Sequence, residues 1–191
     1  VTAVRTHVDL LTSGDGDPLR GLRALLRLRE LLRGRVRLQI AVLHVDAPEK
    51  LLHEALDLGA DLLGDCPHLS TDPVASVERT LRIAAEHHVG VDLHADETLD
   101  PGAGDLRLLA RAVRERGFAL GATASHCVSL GMVEPDEAAH TAKEVAAAGI
   151  GVVALPQTNL YLQGRGRPSC TPRGLTAVRA LLDAGVRVAA G

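Results

Sequence analysis

Short apolar runs alternate with longer amphipathic stretches along the whole chain. The runs cover residues 4–10, 36–45, 61–66, 90–96, 119–127, 151–156 and 186–190. Their starts lie about 25 to 36 residues apart, the size of a βα unit. Several runs are continuous rather than alternating, as expected of parallel strands covered on both faces. The intervening stretches carry helix signals. Asp72 is placed to cap a helix that begins at Pro73, with Val74, Val77, Leu81 and Ala84 on one face. Thr171-Pro172 repeats that entry ahead of Leu175, Val178, Leu181 and Leu182, and Gly185 is placed to end it. Ala47-Pro48 and Glu134-Pro135 are further helix entries, and residues 19–32 form a leucine-rich stretch studded with arginine. The pattern predicts seven strands and six helices in one α/β domain over residues 1–191. By pattern alone, an open doubly wound sheet and a (β/α)8 barrel remain in competition.

Composition narrows the function more than the fold. Hydrophobic residues make up 46% and charged residues 24%, which excludes a disordered chain. A net charge of -3 gives no nucleic-acid footprint. Phe118 and Tyr161 are the only aromatics besides histidine, so a base-stacking platform is not expected either. No apolar run reaches the roughly 18 residues of a membrane span. The three cysteines are far apart and form no C-x-x-C, which favours a reduced, cytoplasmic setting over a disulfide scaffold. The chain opens on Val rather than Met, so the start of the protein is expected upstream. The Ser13-Gly14-Asp15-Gly16-Asp17 loop is acidic and suits a phosphate poorly. A phosphate-binding barrel would rest only on Gly191.

The candidate chemistry lies where strands end, the functional edge of both competing folds. His7, His44, His68, His94 and His126 fall in or just after strands, whereas His53, His87, His88 and His140 fall in helical stretches and read as surface residues. In Asp92-Leu93-His94-Ala95-Asp96-Glu97, alternation puts Asp92 and His94 on one strand face, with Glu97 just beyond. A neutral imidazole and a nearby carboxylate are what metal-assisted hydrolysis needs. His126 ends the following strand and is placed to face His94. Gln39 is a polar residue inside an apolar strand, and its amide can pair with the amide edge of a ring. Residues 155–165 read as a candidate active-site loop in which Leu160 and Leu162 need burial.

Several segments together resemble the cytosine deaminase branch of the metal-dependent amidohydrolases. They are Arg5-Thr6-His7-Val8-Asp9, Leu38-Gln39-Ile40, Gly59-Ala60-Asp61, Pro67-His68, Asp92-Leu93-His94-Ala95-Asp96-Glu97, Thr123-Ala124-Ser125-His126 and Asn159-Leu160-Tyr161-Leu162-Gln163-Gly164-Arg165. The resemblance implies a (β/α)8 TIM barrel, here incomplete and running from the second to the eighth strand. It implies that His94 is a metal ligand, that Glu97 carries protons to the ring, and that His126 orients a metal-bound hydroxide. It implies that Gln39 binds the substrate and that one divalent ion, Fe2+ or Zn2+, is the cofactor. The reaction implied is hydrolytic deamination of a cytosine-like heterocycle. Isocytosine, a pterin or an N-alkylammelide triazine are the alternative rings. The implied partner is a small heterocyclic molecule, with no nucleic acid or membrane, and a homo-oligomer is allowed.

Two features of the family are missing. There is no H-x-H, and the chain stops at Gly191, just before the family's metal-binding aspartate. A catalytic zinc takes about three protein ligands. This chain by itself is therefore expected to bind metal weakly and turn over poorly, and a non-catalytic binding unit is the alternative.

Overall fold

The structure, a computed structural model, describes every residue except Val1, Pro168 and Thr171. It divides into two compact units, Val1–Asp92 and Leu93–Gly191.

In the first unit, β1 (Ala3–Asp9), β2 (Arg37–His44), β3 (Leu62–Asp65) and the first half of β4 (Gly90–Ala95) are parallel neighbours in chain order. They alternate with α1 (Arg20–Leu31), α2 (Glu49–Asp57) and α3 (Pro73–Glu86). Side chains paired across a parallel register share a face. Arg5 pairs with Gln39 and His7 with Ala41, so the polar residues of β1 and β2 lie together. Ile40, Val42, Leu63 and Val91 take the opposite face and are almost fully buried. Leu52, Val77, Leu81 and Ile83 of the helices join this core. The β3 backbone passes close to both neighbours. A Cβ on Gly64 would sit 2.8 Å from the Asp92 carbonyl oxygen, so only glycine fits there. α3 begins as its sequence predicts: the Asp72 carboxylate accepts from the Ala75 amide at 3.0 Å, with Pro73 in the first turn.

In the second unit, the end of β4, β5 (Ala122–His126), β6 (Gly151–Ala154) and β7 (Val188–Ala190) are again neighbours in chain order. The β5–β6 and β6–β7 pairings are parallel. Their helices are α4 (Asp105–Arg116), α5 (Pro135–Ala147), α6 (Pro156–Gly164) and α7 (Val178–Asp183). Leu93, Leu106, Leu109, Val145, Ile150 and Leu181 form the core. Gly117 ends α4 at φ 61, a left-handed position that glycine adopts at little cost. The wiring of both units is that of an incomplete (β/α)8 barrel, as expected. No helix among the described residues is long and apolar enough to cross a membrane.

Two expectations fail in the second unit. The helix expected from Thr171-Pro172 begins only at Val178; Thr171 itself lies outside the described residues. Residues 172–177 have no regular structure because they are committed to tertiary contacts. The Thr176 hydroxyl donates to the His126 carbonyl oxygen. Leu175 presses its carbonyl against Gly131 so tightly that a Cβ there would lie 2.0 Å away. The expected loop at residues 155–165 is largely helical, with Pro156 pre-set for the first turn of α6. That helix turns Asn159 inward and leaves Leu160, Tyr161 and Leu162 at 41%, 63% and 42% exposure, so the expected burial of the leucines does not occur.

Candidate functional site

The exits of β4 and β5 are built from strained backbone held by hydrogen bonds. Asp96, the first residue beyond β4, has φ 53. His126, the last of β5, has φ 71, and Cys127 has φ 47. Non-glycine residues in this region cost on the order of 1 kcal/mol or more each, and persist where the surroundings fix them. Here the surroundings do so. The buried Asp96 carboxylate accepts from the amides of Asp105 (2.7 Å) and Leu106 (3.2 Å), while the Asp105 carboxylate accepts from the Asp96 amide (3.2 Å). Burial, reinforced by the neighbouring Asp105 charge, pushes the Asp96 pKa up. The Cys127 amide donates to Ala95 O at 2.9 Å and the Val128 amide to Asp96 O at 3.0 Å. The loop that starts at Glu97 is therefore anchored on both sides of its entry. The Cys127 thiol is fully buried, and burial followed by the charges of Asp96 and Asp105 pushes its pKa well up, so it is no nucleophile.

Three of the expected residues meet at this edge. One ligand atom each from His94, Glu97 and His126 lies within 4.8 Å of the others. The two imidazoles stand edge to face, 4.9 Å between centroids. His126 is buried, and its Nδ1 lies 3.4 Å from Glu97 Oε1 and 2.9 Å from Asn159 Oδ1. An amide oxygen only accepts, so Nδ1 carries the proton and the Nε2 lone pair is left for a ligand or a proton. Two imidazoles and a carboxylate are donors that suit zinc or ferrous iron. Glu97 is partly open to solvent, at 21% side-chain exposure.

Asn159 is the contributor that sequence reasoning passed over. It is completely buried, and its Nδ2 has no hydrogen-bond partner among the described residues. The only signal was its place in the Asn159-Leu160-Tyr161-Leu162-Gln163-Gly164-Arg165 stretch. Nothing in the sequence signalled the Thr176 hydroxyl on the His126 carbonyl.

Gln39 lies in the first unit, half-buried on β2. Its Oε1 accepts from Arg5 Nε at 2.8 Å, and Arg5 Nη1 donates to Asp92 Oδ2 at 2.5 Å. His7 Nε2 lies 3.4 Å from that same carboxylate oxygen. Burial alone would push the Asp92 pKa up; His7 and Arg5 outweigh it and hold the carboxyl below its usual range.

His44 departs from the strand-end clustering read from the sequence. It turns to the helical side of the sheet, where Nε2 lies 3.2 Å from Thr80 Oγ1 and the ring is buried. Burial, then the Arg79 charge, lowers its pKa to about 4, so it is a neutral core residue. Its neighbour Asp65 accepts from the hydroxyls of Ser76 and Thr80, yet burial still pushes its pKa up. His53 and His87, expected on the surface, are partly buried and hydrogen-bonded to each other at 2.8 Å. None of the three cysteines forms a disulfide.

Known proteins share this architecture. The profile described as Amidohydrolase family matches residues 6–191. A pterin deaminase of Rhizobium rhizogenes is 42% identical over 130 residues, which cover 67% of this chain and 30% of that protein. A 5-methylcytosine deaminase from Klebsiella pneumoniae, solved with 5-fluorocytosine, superposes with a TM-score of 0.87 and 32% identity. That match covers 100% of this chain and 48% of the other. An N-isopropylammelide isopropylaminohydrolase from Burkholderia multivorans gives a TM-score of 0.80 and 33% identity, covering 100% of this chain and 47% of its own. The chain thus spans less than half the length of each of these relatives.

Proposed function

The chain belongs to the amidohydrolase family, and from that premise we propose that its protein is a metal-dependent hydrolase that removes an amino group, as ammonia, from a cytosine-like heterocycle. The observation that carries this reading is the gathering of His94, Glu97 and His126 at the exits of β4 and β5. His94 would hold the divalent ion, zinc or ferrous iron, with the Nε2 lone pair of His126 as its second donor. When bound, the ion supplies Lewis acidity and lowers the pKa of a water molecule to about 7.

The chain's own residues perform the rest of the reaction. The water oxygen bonds to the amidine carbon of the ring, and Glu97 takes the proton it releases. Glu97 delivers that proton to the ring nitrogen, then takes the proton of the newly formed hydroxyl and passes it to the exocyclic amine, so the C–N bond breaks and ammonia leaves a carbonyl behind. His126 keeps its Nδ1 proton on Asn159 and turns Nε2 to the reacting centre, which orients the water. Gln39, on β2 of the first unit, is the amide to which the family resemblance assigns the edge of the ring. The reserve of strain at Asp96, His126 and Cys127 supports a functional role for this edge, because such backbone concentrates where geometry is held for a task.

The 42% identity to a pterin deaminase favours a second reading, in which the ring is a pterin. The test is ammonia release by the full-length protein, loaded with zinc or iron, from cytosine and from pterin. Turnover of either ring supports deamination and chooses between the readings. Absence of ammonia from both overturns the proposal.

A further inference from the structure

The helices of the first unit hold a second gathering of imidazoles and carboxylates. His53 and Asp57 lie one turn apart on α2, and Glu86 and His87 close α3. The two rings are 5.1 Å apart between centroids, and His53 Nδ1 lies 2.8 Å from His87 Nε2. The outer nitrogen of each ring faces a carboxylate. His53 Nε2 lies 3.9 Å from Glu86 Oε2, and His87 Nδ1 lies 3.6 Å from Asp57 Oδ1. Arg82 Nη1 donates to the other oxygen of Glu86 at 3.0 Å and so fixes that carboxylate. A carboxylate only accepts, so the favourable tautomers carry N–H on both outer nitrogens. Both inner nitrogens then present lone pairs, which repel at this spacing unless a positive centre is shared between them. A proton is one such centre and a metal ion is the other. Carboxylate, imidazole and inward lone pair in series are how proteins orient the histidine ligands of a metal.

We propose that His53 and His87 hold a divalent transition-metal ion, Cu2+ or Ni2+, that ties α2 to α3. Bonds of about 2.0 Å made at a right angle set two nitrogens about 2.8 Å apart, whereas a tetrahedral ion asks for about 3.3 Å. The spacing of 2.8 Å therefore suits the tetragonal geometry of Cu2+ or Ni2+, once the rings turn towards a common point. The two side chains are 34% and 20% exposed, so water reaches the ion and completes its coordination. His87 stands at the C-terminus of α3, where the helix dipole favours a cation. The site is independent of the ring that the protein hydrolyses.

The test is Ni2+ binding by the full-length protein already loaded with zinc, followed by calorimetry and by elemental analysis after dialysis. The parent should take up one Ni2+ per chain beyond its zinc. His53→Gln and His87→Gln should each weaken that uptake at least about tenfold, since loss of a ligand costs no less than loss of its outer partner. His88→Asn removes an exposed histidine outside the pair, and asparagine suits its φ of 55, so this variant should bind as the parent does. Ni2+ that only displaces the zinc, no uptake at all, or pair variants within about twofold of the parent each overturn the site. The Cu2+ adduct reports on the ligands themselves. Its electron paramagnetic resonance spectrum should show two nitrogens on copper in the parent and one in either pair variant. An unchanged nitrogen count in both variants contradicts a shared ion.

Discussion

Asn159→Leu isolates the one contact that gives His126 a defined tautomer. Both residues are buried, at 0% and 3% exposure, and the Nδ1 to Oδ1 distance is 2.9 Å. Removing the oxygen strands a buried N–H, which costs about 1–3 kcal/mol. The same substitution also deletes the unpartnered Nδ2 of Asn159, and that offsets part of the loss in stability. Stability should therefore fall by about 1–2 kcal/mol. The effect on the metal should be larger, because His126 is then free to place its proton on Nε2 and withdraw that lone pair. Loss of an outer partner of a ligating histidine typically costs about 10–100-fold in affinity. Asn159→Asp keeps the acceptor oxygen and removes the unpartnered donor, so it should bind zinc within a few-fold of the parent. Calorimetric titration with Zn2+, alongside thermal melts of both variants, measures each quantity. A folded Asn159→Leu variant that binds zinc within about twofold of the parent would refute the role given to this contact.

Two further outcomes follow from the same geometry. His44 has a folded pKa of about 4 against 6.5 for the free group, so between these values the unfolded chain binds more protons. Its contribution is complete above pH 6.5 and is lost as the pH falls towards 4, about 3 kcal/mol in all. Asp65, whose pKa burial raises, works in the opposite sense, so the comparison is made between the parent and His44→Gln by denaturant titration from pH 7 to 4; equal slopes would contradict it. Gly131→Ala should lower stability by about 1–3 kcal/mol, because the new Cβ would lie 2.0 Å from Leu175 O, and an unchanged melting temperature would show that residues 172–177 yield freely.

The strands were legible because parallel strands covered on both sides carry unbroken apolar stretches, as residues 40–43 and 151–155 do. α3 was legible because Asp72 and Pro73 act locally, through contacts within four residues. α7 was not, because Leu175 and Thr176 are drawn out of a helix by Gly131 and by the His126 carbonyl, about 45 to 50 residues away in sequence. α6 read as a loop because its leucines are exposed, which removes the apolar stripe that marks a helix. At the site, His94 and Glu97 were legible from strand alternation, and His126 from its place at a strand end. Asn159 was invisible in its role, since its contact joins two elements 33 residues apart. Arg5 is 87 residues from Asp92, and the relay it completes to Gln39 emerges only when β1 and β4 share a face.

The central claim is that Glu97 moves the protons of a hydrolytic deamination beside a divalent ion. Ammonia release by the full-length protein and by Glu97→Gln, at matched metal content, tests it most directly. The account predicts that Glu97→Gln still binds the metal and the ring but releases ammonia at least about 100-fold more slowly. Undiminished release from the metal-loaded variant would contradict it.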